Sequence, residues 1–131
     1  MVAVRYYSKS GNTKLLAEAI GKGAGVIPIS VDEDSAKITE NIDVLFIGGA
    51  LYAYGLDKVM NEYLAGIDGS KVKKAVVFST SWISKHSIDL IKKALVAKGI
   101  EVADETCYVR NKPNEKQMVE AEAFAKKMIS C

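Results

Sequence analysis

Two short runs, Val44-Leu45-Phe46-Ile47 and Ala75-Val76-Val77-Phe78, are apolar at every position. A strand with one wet face alternates apolar and polar side chains, so a run without alternation belongs at the centre of a parallel sheet covered on both faces. Three more runs of strand length, Val2 to Tyr7, Val26 to Val31 and Val102 to Val109, flank this pair. Between the runs the apolar residues change to helical spacing. Leu16, Ala19, Ile20 and Gly23 share one face after Asn12, and Val59, Met60, Tyr63 and Leu64 do so after Asp57, a good N-cap. Ile88, Ile91 and Leu95 form a third stripe, opened by Ser87 and stopped by Gly99. A last helix is expected from Pro113-Asn114, with Gln117 in the capping-box position and Met118, Ala121, Ala125 and Met128 on one side. Glu33 to Asn41 reads as a shorter, more polar helix.

Strand and helix therefore alternate without linker or repeat, which argues an α/β fold with a parallel sheet and right-handed crossovers. The 131 residues are expected to form a single domain, 1–131. A domain of this size buries about two-thirds of its unfolded surface and needs no disulfide. The two cysteines, Cys107 and Cys131, make no scaffold, which suits a reducing compartment and a cytoplasmic protein. A net charge of +2 with interleaved signs lacks the basic stripe of a nucleic-acid binder. The uncharged stretch from Val44 to Leu56 contains three glycines and is too short to cross a bilayer. Met1 to Tyr6 lacks the apolar stretch of a signal peptide.

Doubly wound sheets bind ligands beyond the carboxyl ends of their strands. The first such loop, Ser8-Lys9-Ser10-Gly11-Asn12-Thr13, runs straight into a helix. Unpaired amides at a helix start converge on one spot, and the helix dipole favours negative charge there. Ser8, Ser10 and Thr13 add hydroxyls, Asn12 an amide, and Gly11 lets the backbone wrap closely. The sequence fits a phosphate cradle, the plainer alternative being a polar turn that caps a helix. A Walker loop needs Gly-Lys-Ser/Thr, whereas Gly11 is followed by Asn-Thr-Lys. Gly21-Lys22-Gly23-Ala24-Gly25 lies after the helix rather than before it, so the dinucleotide fingerprint fails as well. Acidic acceptor residues and a cysteine or aspartate nucleophile are missing from the strand ends, which removes receiver and phosphatase readings. No Ser-His-Asp spacing, paired carboxylates or zinc pattern supports a hydrolase.

Tyr7-Ser8-Lys9-Ser10-Gly11-Asn12-Thr13, with Ala17 one turn on, resembles the phosphate-binding signature of short-chain flavodoxins. The resemblance continues through Asn41-Ile42-Asp43-Val44-Leu45-Phe46-Ile47-Gly48, Asn111-Lys112-Pro113-Asn114-Glu115 and Ala123-Phe124-Ala125-Lys126-Lys127. It implies a three-layer sandwich, with a five-stranded parallel sheet in order 2-1-3-4-5 and helices on both faces. It also implies FMN, with the phosphate in the first loop and the flavin ring between the loops after strands three and four. By position those loops are Ala50-Leu51-Tyr52-Ala53-Tyr54-Gly55 and Ser79-Thr80-Ser81-Trp82-Ile83. Tyr52, Tyr54 and Trp82 are the aromatic faces on which a flat ring could stack, and Tyr52 and Tyr54 are equally placed for it. The alternative for Trp82 is a rim or core aromatic. Two departures stand out. Ala53 or Gly55 occupies the place of the family's flipping glycine, and Lys85-His86 follows the ring loop in a chain of positive net charge. A cation within a Debye length favours the reduced, anionic ring, so a less negative final couple is expected than in acidic relatives.

Three functions fit these residues. The first is an FMN-binding electron carrier serving redox partner proteins, such as a reductase or an acceptor. The second is an FMN-dependent reductase of quinone or porphyrinogen-type substrates, and the third a flavin-free binding module. The absence of an insertion that would build a substrate pocket ranks the carrier first.

Overall fold

The computed structural model describes residues 1–52, 55–80 and 86–130. The strands are β1 (Val2–Tyr6), β2 (Ile29–Ser30), β3 (Ile42–Gly49), β4 (Leu51–Tyr52), β5 (Gly55–Leu56), β6 (Val72–Thr80), β7 (Glu101–Val102) and β8 (Cys107–Val109). The helices are α1 (Asn12–Ala24), α2 (Lys58–Ala65), α3 (His86–Ala97) and α4 (Glu115–Ser130). The main sheet runs β2-β1-β3-β6-β7, with β8 also paired to β6, and every one of these pairings is parallel. With β7 and β8 taken as one interrupted strand, this is the order 2-1-3-4-5.

The two runs without alternation are the middle of β3 and β6, and they are buried on both faces as expected. Val44, Phe46, Val76 and Phe78 pack with Leu16, Ile20, Ala121 and Ala125 from α1 and α4. Leu45, Ile47, Ala75 and Val77 pack with Met60, Leu64, Ile91 and Leu95 from α2 and α3. Full burial of each such aliphatic or aromatic side chain is worth roughly 1.5–3 kcal/mol. These two strands therefore anchor the layers that hold the loops beyond them.

Four sequence expectations change in the structure. Glu33 to Asn41 is not a helix but a single 3-10 turn, Asp34–Ala36. The Ala36 carbonyl that a helix would need accepts instead from Arg5 Nε at 2.9 Å and from the Tyr63 hydroxyl at 2.5 Å. The second strand shrinks to Ile29–Ser30. The fifth is interrupted between Val102 and Cys107, where Asp104 and Glu105 disfavour strand at the sheet edge. The loop after β3 contains a small antiparallel hairpin, β4 with β5, pairing Leu51 with Leu56 and Tyr52 with Gly55.

The expected start of the last helix is present in detail. Asn114 N–H donates to Gln117 Oε1 at 3.0 Å while Gln117 N–H donates to Asn114 Oδ1 at 2.8 Å, a reciprocal capping box. Asn114→Ala is expected to cost about 1 kcal/mol of stability, read as a lower urea midpoint with an unchanged m-value. An unchanged midpoint would mean that this cap adds nothing.

No helix among the described residues is long and apolar enough to cross a membrane.

Candidate functional site

β1 ends at Tyr6, and Tyr7 N–H still donates to the Gly48 carbonyl at 3.1 Å, so the chain leaves the sheet beside the end of β3. Four residues later Gly11 takes φ 93°, the left-handed conformation that a side chain disfavours, and serves as the N-cap of α1. A Cβ placed there would meet nothing within 4 Å, so conformation rather than space demands the glycine. Ser8 Oγ accepts from Gly11 N–H at 2.9 Å, and Ser10 Oγ accepts more loosely from Asn12 N–H at 3.4 Å. Each serine keeps its own proton to donate. The amides of Thr13 and Lys14 follow in the first turn, where a helix has no internal acceptor for them. The donor set is neutral hydroxyls, amides and the positive end of a helix dipole. That chemistry suits a phosphate dianion without a metal.

Three contacts tie this loop to its surroundings. Lys9 Nζ lies 3.1 Å from Asp57 Oδ2, and Asp57 Oδ1 also caps α2 by accepting from Val59 N–H at 2.9 Å. The Val59 amide, with Lys9 adding to it, holds the Asp57 carboxyl below the usual carboxylate range. Asn12 Nδ2 reaches Asn111 Oδ1 at 3.5 Å, and Asn111 itself stands at φ 67°, a conformation asparagine tolerates better than most residues. Exposed Arg110 and Lys112 flank it in sequence. Buried Thr13 Oγ1 lies 2.6 Å from Thr80 Oγ1 at the end of β6.

The remaining candidates occupy the neighbouring strand ends. Gly49 and Ser79 are register partners, and Ala50 follows Gly49 directly. Ser79, fully buried, donates to the Gly49 carbonyl at 2.6 Å and shares a 2.6 Å contact with Ser87 of α3. Leu51, Tyr52 and Gly55 lie in the hairpin. Ala53, Tyr54, Ser81, Trp82, Ile83 and Lys85 fall outside the described residues. The first, third and fourth loops thus leave the sheet side by side, through β1, β3 and β6.

Sequence reasoning named the candidate loop without the partners that hold it. It placed Thr80 with the ring, whereas its hydroxyl meets the first loop. It read Asp57 only as a helix cap and took Asn111 only as part of a resemblance. In each case the contact joins residues far apart in the chain, and no local pattern announces it.

Two other features carry little chemistry. An open groove of about 450 Å³ lies between α1 and α4, lined by Leu15, Glu18, Met118 and Val119 among others. It runs along the flanks of the two helices. Cys107 is half-buried beside α4, and burial pushes its thiol up to about 11, which leaves it protonated and unreactive at neutral pH. No cluster of three or more His, Cys, Asp or Glu suited to a metal occurs among the described residues.

No family model matches the sequence, and no curated protein matches it. Solved structures do match. A flavodoxin from the domain Archaea superposes with a TM-score of 0.86 at 24% identity, over 98% of this chain and 96% of that one. Oxidised flavodoxin 1 from Bacillus cereus gives 0.81 at 19% identity, over 98% and 97%. Two-electron reduced Megasphaera elsdenii flavodoxin gives 0.67 at 25% identity, over 97% and 99%. The chain has the flavodoxin fold.

Proposed function

We propose that this flavodoxin-fold chain is an FMN-binding electron-transfer protein that exchanges electrons with redox partner proteins. The observation that carries the reading is the first loop. A left-handed Gly11, three hydroxyl side chains and the first turn of α1 meet beside the ends of β3 and β6. Ser8, Lys9, Ser10, Gly11, Asn12 and Thr13 would hold the phosphate. Lys9 would act chiefly through Asp57, fixing the loop to the start of α2. The loops 50–55 and 79–83 would hold the ring, apart from Thr80, whose hydroxyl meets the first loop, with Ser79 pinning the Gly49 carbonyl at the point where the first of them begins.

Bound FMN supplies reversible electron uptake, and the protein supplies geometry and potential. A ring loop followed in sequence by Lys85, in a chain of net charge +2, favours the reduced anion more than an acidic surface would. We place the protein in the cytoplasm on its cysteine usage.

The test is direct. Flavin-free protein titrated with FMN should turn yellow and quench FMN fluorescence at a one-to-one ratio. A protein that takes up no FMN overturns the reading in favour of a flavin-free module. Rapid NAD(P)H oxidation with quinone and no added reductase would replace the carrier with a reductase.

A further inference from the structure

Two successive residues at the end of β6, Ser79 and Thr80, send their hydroxyls to opposite ends of the proposed cofactor site. Both are buried, at 0% and 3% exposure, as are their partners Ser87 at 0% and Thr13 at 1%. No buried side-chain nitrogen or oxygen among the described residues lacks a hydrogen-bond partner, so proton counting within this set is informative.

A hydroxyl has one proton to give, and a carbonyl can only accept. Ser79 Oγ contacts the Gly49 carbonyl and Ser87 Oγ, each at 2.6 Å. Ser79 must spend its proton on Gly49, so Ser87 donates to Ser79. That relay has one direction, from α3 through β6 to the loop after β3. The second pair, Thr13 Oγ1 and Thr80 Oγ1 at 2.6 Å, has two protons and one contact. One proton is left over, and nothing in the pair itself fixes which threonine keeps it.

An anion in the first loop fixes it. Resting on the phosphate reading above, we propose that Thr80 is a positioning residue: it donates to Thr13 Oγ1 and so turns the Thr13 proton onto the bound phosphate. A hydrogen bond to an ionised acceptor is about twice as strong as one between neutral groups. The arrangement in which Thr13 faces the anion therefore prevails over the one in which Thr13 donates inward. Donation from Thr80 polarises the Thr13 hydroxyl further, since successive hydrogen bonds in a low-dielectric site strengthen one another. Thr80 belongs to the phosphate end, whereas its neighbour Ser79 serves the ring end. One strand terminus thereby sets both subsites in register.

Titration of the flavin-free protein with FMN and with riboflavin, which lacks the phosphate, tests this. Thr80→Val keeps the shape and removes the donor. It should weaken FMN about tenfold while riboflavin affinity moves by less than about twofold. The ³¹P chemical shift of bound FMN should move with it, which loss of packing alone would not produce. Thr80→Ser should restore both readings, and Thr80→Ala, a second removal of the hydroxyl, should repeat the selective loss. Ser79→Ala, which cuts the other relay, should weaken the two flavins by the same factor. Unchanged FMN affinity in Thr80→Val, an equal loss for both flavins, or failure of Thr80→Ser to rescue would each overturn the proposal while FMN binding by the parent protein stands. A parent protein that binds neither flavin overturns the phosphate reading and this inference together.

Discussion

Ser10→Asp is expected to lower FMN affinity at least a hundredfold while leaving the flavin-free protein as stable as before or more so. Ser10 is exposed, and its hydroxyl makes only the loose 3.4 Å contact with Asn12 N–H, so the substitution removes little from the folded chain. A carboxylate just ahead of α1 interacts favourably with the helix dipole, by about 0.3–1 kcal/mol. The same carboxylate opposes a phosphate dianion. One negative charge against two at about 6 Å, at an effective dielectric between those of water and a protein surface, costs about 3 kcal/mol. That penalty is roughly a hundredfold in affinity. Riboflavin should bind the variant as it binds the parent, and added salt should narrow the FMN gap by screening. Isothermal titration with both flavins, beside thermal unfolding of the flavin-free forms, reads all of this. A variant that keeps FMN within tenfold of the parent would place the phosphate somewhere other than this loop.

The first loop was legible because its logic is local. Hydroxyls, a glycine and a helix start lie within six consecutive residues, and the helix dipole needs no distant partner. The capping box at Asn114 and Gln117 was legible for the same reason. The central strands were legible because burial on both faces erases alternation, a signal written into Val44 to Ile47 and Ala75 to Phe78 themselves. What the sequence did not show was decided at long range. Glu33 to Asn41 has helical composition enough, but Arg5, 31 positions away from Ala36, and Tyr63, 27 away, take the carbonyl that a helix would use. Thr80 sits 67 positions from Thr13, so sequence order, which puts it in the ring loop, carries no sign of their contact. The short pairing of Leu51–Tyr52 with Gly55–Leu56 carries no turn signal of its own beyond Gly55. Pattern thus pointed to the candidate loops, and tertiary contacts gave the partners that hold them.

Gly48→Ala should be among the most damaging single-methyl additions in the sheet. Gly48 and Phe78 are register partners on β3 and β6, and the Phe78 ring, fully buried between α1 and α4, lies over the glycine. A Cβ on residue 48 would stand 2.3 Å and 2.4 Å from two ring carbons and 2.6 Å from the Phe78 carbonyl oxygen. The ring has little room to turn, because it is fully buried in a close-packed cluster with Val76, Leu16 and Ala125. The carbonyl belongs to the ladder and moves only if β3 and β6 separate. Overpacking of this kind costs typically 1–3 kcal/mol and occasionally more, and the backbone contact puts this case at the upper end, at about 3 kcal/mol. Urea unfolding should show it as a fall in midpoint, and Phe78→Leu in the same chain should recover part of the loss but not all, since the carbonyl remains. The damage extends to the site, because the next residue is Gly49, whose carbonyl Ser79 holds. Displaced there, the loop after β3 loses its fixed origin, so the variant should bind riboflavin and FMN more weakly by a similar factor, the opposite of the selective loss expected from Ser10→Asp. A Gly48→Ala protein within about 0.5 kcal/mol of the parent, the range of an ordinary surface change, would show that β3 and β6 can part more easily than their burial implies.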